Sequence, residues 1–458
     1  MTLQYDLICI GSGPAGQRAA IQASKLGKKV ALIEKSNFVG GICLHSGTVP
    51  SKTFREAILF RLLKNNSTNK LTDTSSRKLF HRVQEIIDIE VLVNNDQLKR
   101  NSIKVFHGEA SFVNKNEIFV KTHKKDLNFK SKFFLISVGT TALRPNEFFK
   151  NNANIITSDE IFDLEKIPPS ITIIGCGVIG IEYASMFANL GVSVTVIDGR
   201  NRPLEFLDTE IIDELIFQMK KKGVIFKLGE TVDKVTRYNN KKNTVLISLK
   251  SGKKVSSDLA IVCSGRFGST DKLNLFKAKI DVDERGRIKV NKKFQTSTKN
   301  IFAAGDIIGF PSLAATSFEQ GRLATLYMFD KHNELMSKNF PVGVYSVPEI
   351  SMVGLPEHEV ILSKIPYVIG IARYKEISRG NILGDKDGLL KIIFDKNTKK
   401  ILGVHIVGTS ATELIHIGQC VMELGGNLNY FLKSVFNYPT LAECYKVAAL
   451  DARNKLNI

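Results

Sequence analysis

Several kinds of chemistry are missing from this chain. Its six cysteines, Cys9, Cys43, Cys176, Cys263, Cys420 and Cys444, occur with no C-x-x-C or other metal-ligand spacing, so no metal site is expected. Most lie in apolar strand-like or helical surroundings, where a free cysteine is a small buried hydrophobe. No apolar run approaches the roughly 20 residues of a membrane-spanning helix. The opening residues, MTLQYDLICIGSG, enter a strand-like run at once and leave no room for a cleavable signal peptide. A cytoplasmic setting without a disulfide framework is therefore expected. Acidic residues are the scarcer charge, 45 against 64 Lys and Arg, for a net charge of +19. The excess base is dispersed in surface-type runs such as Lys124–Lys125, Lys220–Lys222 and Lys399–Lys400, with no interleaved aromatics. That pattern argues against nucleic acid as a partner.

What is present begins with length. A chain of 458 residues is too long for one core and suits about three domains of roughly 150 residues each. The apolar run Tyr5 to Ile10 leads into Gly11-Ser-Gly13-Pro-Ala-Gly16, an alanine-rich helical stretch from Gln17 to Leu26, a second run from Lys29 to Ile33, and then Glu34 and Lys35. This is a complete βαβ dinucleotide fingerprint. The glycines permit a tight turn and close backbone approach, the helix N-terminus faces a pyrophosphate, and the acid takes ribose hydroxyls. The pattern recurs as Ile171 to Ile174, Gly175-Cys-Gly177-Val-Ile-Gly180, a helix through Leu190, a strand from Ser193 to Ile197, and Asp198. Two such units predict two dinucleotides, FAD in one and a nicotinamide nucleotide in the other. The positive net charge favours capture of such polyanions. Asp198 suits the free ribose hydroxyls of NAD(H), whereas Arg200 and Arg202 suit the 2'-phosphate of NADP(H). An acid with two nearby bases is compatible with a site that admits both, and leaves the preference open.

Between and beyond these units the pattern is plainer. From Phe54 to about Arg100 it predicts two antiparallel helices joined by a Ser/Thr/Asn-rich stretch near Asn65 to Ser76, and Ile103 to Leu135 alternates as strands do. After Met336 the runs Gly343 to Val347, Gly388 to Phe394 and Ile401 to Val407 alternate with helical stretches Thr412 to Leu424 and Leu441 to Asn454, predicting an α+β unit.

The segment Gly40 to Lys52, GGICLHSGTVPSK, resembles the active-site segment of the class I pyridine nucleotide:disulfide oxidoreductases, flavoproteins that include glutathione, dihydrolipoamide and mercuric reductases. Those enzymes carry two cysteines there. This chain has Cys43 at the first position and Thr48 at the second, and a hydroxyl can neither form a disulfide nor serve as a thiolate. The pattern, with His45 between them, looks like one branch of that family, the soluble (Si-specific) pyridine nucleotide transhydrogenases. The resemblance covers essentially the whole chain. It implies an α/β fold with two Rossmann-like dinucleotide-binding domains and a C-terminal α+β dimerisation domain. The implied division is residues 1–148 and 268–335 for FAD, 149–267 for NAD(P) and 336–458 for dimerisation.

The same resemblance implies roles for single residues. Gly40 and Gly41 would let the chain pass the FAD, with Cys43 and Thr48 as contacts and the helix after Pro50-Ser51-Lys52 beginning against the flavin. Gly139 and Gly265 would mark the crossings into and out of the second domain. Gly305-Asp306 would return to the ribityl chain, ahead of a helix through Glu319 and Arg322 whose N-terminus faces the flavin. Lys52 and Glu182 would form an ion pair beside flavin N5, the cation stabilising reduced flavin. The family's His-Pro-Thr-x-x-Glu motif, which reaches into a partner subunit, matches Tyr438-Pro439-Thr440-Leu-Ala-Glu443. The glutamate is kept and the histidine is not.

These two losses act together. A distal thiol needs an activating base, and tyrosine, with a reference pKa of about 10, is none at neutral pH. With proximal cysteine and base both gone, electrons taken from one nicotinamide have a way out through a second, oxidised one. The expected reaction is a ping-pong hydride transfer between NADPH and NAD+ in a homodimer or larger assembly, with catalytic residues Lys52, Glu182 and Glu443. Three alternatives stay open at this point: a disulfide or metal-ion reductase with rearranged thiols, such as Cys43 with Cys444; an NAD(P)H oxidase or quinone reductase; and a flavin-bearing binding protein.

Overall fold

The structure, a computed structural model, describes residues 2–64, 73–149, 154–239, 242–331 and 335–456. The first glycine-rich unit forms a seven-stranded sheet. Its order runs Lys104–His107, Val30–Glu34, Thr2–Ile10, Leu127–Ile136, Glu117–Lys121 and Glu109–Asn114, with Ile301–Ala303 pairing Leu127–Ile136. The strand Thr2–Ile10 is flanked by parallel neighbours on both sides, and its last four residues are buried. That is why it reads as an unbroken apolar run and not as an alternating one. The return of the chain at Ile301 to pair with Phe134 makes this unit discontinuous in sequence.

The second unit is a five-stranded, wholly parallel sheet ordered Ile225–Leu228, Ser193–Asp198, Ser170–Ile174, Leu259–Val262 and Ile155–Thr157. A separate antiparallel sheet of three strands lies between Val232 and Ser257. Two short antiparallel strands, Thr140–Ala142 and Arg266–Gly268, carry the chain between the units. They are pinned by Arg266, whose guanidinium donates to Thr140 and to Asp159 at 2.7 and 3.1 Å.

The C-terminal unit is a five-stranded antiparallel sheet, Val342–Val344, Ile350–Gly354, Ile401–Val407, Leu389–Asp395 and Tyr367–Arg373. Helices Ala411–Glu423 and Glu443–Lys455 accompany it. One hydrophobic cluster runs through all three parts. It joins Phe54 and Ile58 of the first, Ile171, Ile181 and Phe187 of the second, and Val344, Ile350 and Val407 of the third.

Three local expectations are corrected. The helix carrying Lys52 begins at Thr48, not after Lys52, because Pro50 falls in its first turn, where a missing N–H costs nothing. The run Gly343 to Val347 is strand only over Val342–Val344; beyond that, the backbone N–H groups of Tyr345 and Val347 donate to Glu182 and Ser185 of the second unit instead of a neighbouring strand. The polar stretch near Asn65 to Ser76 is partly helix, since Asp73–Arg100 is helical; residues 65–72 lie outside the described residues.

The helix Ala314–Met328 packs on Pro14–Lys25 so closely that a Cβ at Gly321 would lie 2.1 Å from the Ala15 carbonyl oxygen. Gly321→Ala must separate the two helices. We expect it to cost about 1–3 kcal/mol, as core overpacking does, read as a lowered midpoint in urea denaturation.

Candidate active site

The two glycine-rich turns are built alike. Gly11 and Gly175 take φ of +102° and +110°, and a Cβ on either would run into the carbonyl of Ser137 or Cys263 on the neighbouring strand. Gly16 and Gly180 each press against the carbonyl of the glycine five residues earlier. Gly13 and Gly177 are the N-caps of helices Pro14–Lys25 and Val178–Asn189. They have extended backbone and no side-chain cap, and nothing lies within 4 Å of where their Cβ atoms would be. Uncapped helix N–H groups facing open space are what a pyrophosphate requires, so both turns fit a dinucleotide.

The acids at the strand ends repeat the likeness. Glu34 is buried and accepts from the N–H of Ser12 at 2.9 Å and of Ser36 at 2.8 Å. Asp198 accepts from the N–H of Cys176 at 2.7 Å and of Arg200 at 2.8 Å. The remaining partner differs. Glu34 takes the Ser12 hydroxyl at 2.6 Å, and that hydroxyl accepts from the N–H of Gly40 at 3.0 Å. This ties the glycine turn to the Gly40-Gly41 turn, where a Cβ on Gly41 would sit 3.0 Å from the Gly13 Cα. Asp198 instead takes the Arg200 guanidinium on both oxygens, at 2.9 and 2.8 Å. Burial alone would raise the Asp198 pKa; the bonds from Arg200 and Cys176 overcome it and hold the carboxyl well below the usual range. Arg202 pairs with Asp213 at 3.1 Å, and both are exposed. Lys35 stands exposed at the rim of a cleft shared with His107, Glu109 and Lys121.

Lys52 and Glu182 meet. The ammonium lies 2.8 and 3.0 Å from the two carboxylate oxygens, with Lys52 one-quarter exposed and Glu182 buried. The sequence did not disclose the third member of this group. The backbone N–H of Tyr345 donates to Glu182 at 2.8 Å, and the Lys52 ammonium lies 4.8 Å from the Tyr345 ring centre. Arg55, one helical turn after Lys52, donates to the Ser346 carbonyl at 2.9 Å, fixing the same loop. No local pattern signals these contacts, which join residues 163 and 291 positions apart.

Cys43 is half-buried, with the Thr48 hydroxyl beside its sulfur. Burial pushes the thiol pKa up, only partly offset by the Thr48 hydroxyl and the Lys52 charge, so Cys43 is a poor thiolate. Cys444 lies in the C-terminal core with its pKa raised to about 12, chiefly by burial, and all six cysteines are free. Cys43 and Cys444 are therefore not joined within the chain. Glu443 opens its helix and accepts from the Thr440 N–H at 3.2 Å, while the exposed Tyr438 hydroxyl bonds Ser378 at 2.6 Å. Among the described residues no hydrogen bond or ion pair joins Glu443 to Lys52, Glu182 or Cys43.

Near the first turn, Gly305 has φ of +85° and donates its N–H to Gln320 at 2.8 Å. Asp306 follows; burial raises its carboxyl pKa against the pull of Arg266 and a hydrogen bond from Ser317. A desolvated carboxyl with a hydroxyl partner fits a polyol chain better than a metal. Gly139 and Gly265, at φ of +65° and +136°, have open space on their Cβ side. Among the described residues no cluster of three or more His, Cys, Asp or Glu residues is placed to hold a metal, and no helix is long and apolar enough to cross a membrane.

A family model described as pyridine nucleotide-disulphide oxidoreductase matches residues 5–321, and the model of that family's dimerisation domain matches residues 340–449. The chain belongs to this family. Over 99% of its length it is 43% identical to a protein of Mycobacterium bovis named soluble pyridine nucleotide transhydrogenase, of which 98% is covered. A protein of the same name from Pseudomonas aeruginosa is 39% identical, with 99% of each chain covered. Among solved structures, the HOCl-induced flavoprotein disulfide reductase RclA of Escherichia coli, in its Cu(II) complex, is similar with a TM-score of 0.90 at 26% identity, over 98% of this chain and 99% of that one. LpdA of Mycobacterium tuberculosis, at 22% identity and a TM-score of 0.89 over 97% and 99% of the two chains, shares the fold.

Titration of the denatured protein with a thiol reagent should count six thiols, before and after anaerobic reduction with NADPH. A count of four that rises to six on reduction would reveal a redox disulfide and sink this description of Cys43.

Proposed function

We propose that this chain is an FAD-dependent, Si-specific NAD(P)+ transhydrogenase that moves hydride between NADPH and NAD+. The reading is supported most by one contact: Thr48 on the sulfur of Cys43, where a disulfide reductase needs a second thiol. The names borne by the relatives at 39 and 43% identity agree with it. We divide the chain into residues 1–148 and 268–335 for FAD, 149–267 for NAD(P) and 336–458 for dimerisation, and we place the working enzyme as a homodimer or larger assembly in the cytoplasm. Nucleic acid is no part of this reading.

FAD would be held by Gly11, Gly13, Gly16, Glu34, Lys35, Gly40, Gly41, Cys43, Thr48, Lys52, Gly139, Gly305 and Asp306. When bound, it supplies a carrier for two electrons. The chain supplies the charge. Lys52 sets a cation where negative charge develops on reduction, and Glu182 and the Tyr345 ring hold it there without a search of rotamers. Glu443, at the dimerisation unit, is kept for the partner's site; with tyrosine at position 438 it has no imidazole to orient.

The nicotinamide nucleotides would use one site in turn, on Gly175, Gly177, Gly180, Asp198, Arg200, Arg202 and Gly265. The Arg200–Asp198 pair lets that site accept both. An NAD(H) ribose donates its hydroxyls to Asp198 and displaces the guanidinium. A 2'-phosphate draws Arg200 to itself, and Arg202 adds a second base. Arg200 is 46% exposed, so it can trade carboxylate for phosphate at the surface.

The test is to mix the purified protein with NADPH and thio-NAD+ without oxygen and follow reduced thionicotinamide. Turnover with parallel lines in a double-reciprocal plot is expected. Reduction of the flavin with no thio-NADH would discard the reading and leave oxygen, quinones or disulfides as acceptors. Lys52→Met should lower turnover by about 10²–10³-fold. Arg200→Ala should raise KM for NADPH by roughly 10–100-fold, as loss of a charged hydrogen bond does, with KM for NADH changed far less.

A further inference from the structure

We infer that Lys391, on the C-terminal sheet, is a positioning residue for the arginine loop of the nucleotide site. The inference rests on the reading of Arg200 and Arg202 as 2'-phosphate ligands. That loop, residues 199–208, starts from Asp198 at the end of a strand and ends at Asp208, the N-cap of helix Thr209–Lys221. Asp208 is fully buried. Its Oδ1 accepts from the N–H of Glu210 at 3.2 Å, as a helix cap should. Its other partners come from the C-terminal unit. The Lys391 ammonium donates to Oδ1 at 3.0 Å and the N–H of Glu357 donates to Oδ2 at 3.1 Å. Lys391, 1% exposed, also reaches Glu357 Oε2 at 2.6 Å and Glu210 Oε2 at 3.4 Å.

His405, with His358 near it, is a further basic group here. Burial lowers its pKa to about 4, so it is neutral at pH 7 and bonds the Leu355 carbonyl. Lys391 is thus the cation that balances Asp208.

A buried ion cluster is a costly way to join two units, since apolar contacts hold them at least as well. What a cluster adds is a single register. The loop that ends in it needs one. Leu204 holds φ of +49° while almost wholly buried, a backbone state that persists only where its surroundings enforce it. The Arg200 carbonyl accepts from the N–H of Gly229 at 3.0 Å, and Arg202 is aimed by Asp213, on the helix that Asp208 caps. The line of support therefore runs from Lys391 through Asp208 and that helix to Arg202. Asp198 stands outside it, on a strand paired on both sides. Loosening Lys391 should displace Arg202 and leave the NAD(H) acceptor in place. Selectivity between the two nucleotides would then depend on how the C-terminal unit is seated.

The experiment compares holoenzyme variants Lys391→Met, Asp208→Asn and Glu357→Gln with Arg200→Ala and Arg202→Ala, measuring KM and kcat separately for NADPH and NADH. Lys391→Met and Asp208→Asn should raise KM for NADPH roughly tenfold, the weight of one misplaced charged hydrogen bond. KM for NADH should stay within about twofold, with kcat kept. Glu357→Gln, at a half-exposed site, should show a smaller shift of the same kind and serves if the buried variants do not fold. A purely structural cluster would lower stability and move both KM values together or neither; that result, with the arginine variants selectively impaired, overturns the inference and spares the loop reading. If the arginine variants leave NADPH unaffected, the loop reading fails and the inference falls with it.

Discussion

The ion pair between Lys52 and Glu182 is the constraint on which the arrangement of the whole chain depends. Glu182 is 3% exposed, and a carboxylate so far from water is tolerable only if its oxygens are filled. One partner, Lys52, lies on the helix that follows the first dinucleotide turn; another, the Tyr345 N–H, lies at the head of the C-terminal sheet. Satisfying one buried acid therefore requires all three parts of the chain to be docked. Neighbouring bonds repeat the demand, with Ser185 accepting from Val347 and Arg55 donating to Ser346. The shared hydrophobic cluster beneath them supplies the non-directional attraction, and these polar contacts choose the register.

The two nucleotide units use one design and diverge at one point. In each, a terminal acid is held by the N–H of the second residue in the glycine turn and by the N–H two residues beyond itself. In the first unit a serine hydroxyl completes the acid, locked in turn by Gly40. In the second an arginine completes it. A neutral, buried cap suits a ligand that stays. A charged, half-exposed cap suits one that must exchange, because the guanidinium has an alternative anion to go to. Under the proposed function, this difference is the physical basis for a resident flavin in the first unit and transient nicotinamides in the second.

The thiol pair of the family's reductases is incomplete in this chain. Cys43 faces a hydroxyl, burial raises its pKa, and the sulfur next in sequence to the glutamate of the C-terminal motif, Cys444, is packed into a core. What the chain does hold is the Lys52–Glu182 pair with its Tyr345 contacts, which the proposed function sets beside a flavin and a nucleotide.

Much of this could be read along the chain. Both βαβ units, with their glycines and terminal acids, follow from spacings of a few residues, because tight turns and helix N-termini are local geometry, whereas the pairing of Lys52 with Glu182 is what the family resemblance implied. Thr48 in place of a cysteine and Tyr438 in place of a histidine are visible against the motifs of the family that the chain resembles. The strands Ile350–Gly354 and Tyr367–Arg373 are not marked in the sequence, though the second alternates in burial, because they lie among turns with no glycine motif. The Tyr345 contact, the capture of Asp198 by Arg200, and the Lys391–Asp208 cluster had no signature at all. Such contacts link residues that are ordinary in their own neighbourhoods, and whether a lysine in a strand is a solvated surface charge or the buried counter-ion of an aspartate 183 positions away is settled by how sheets and helices pack.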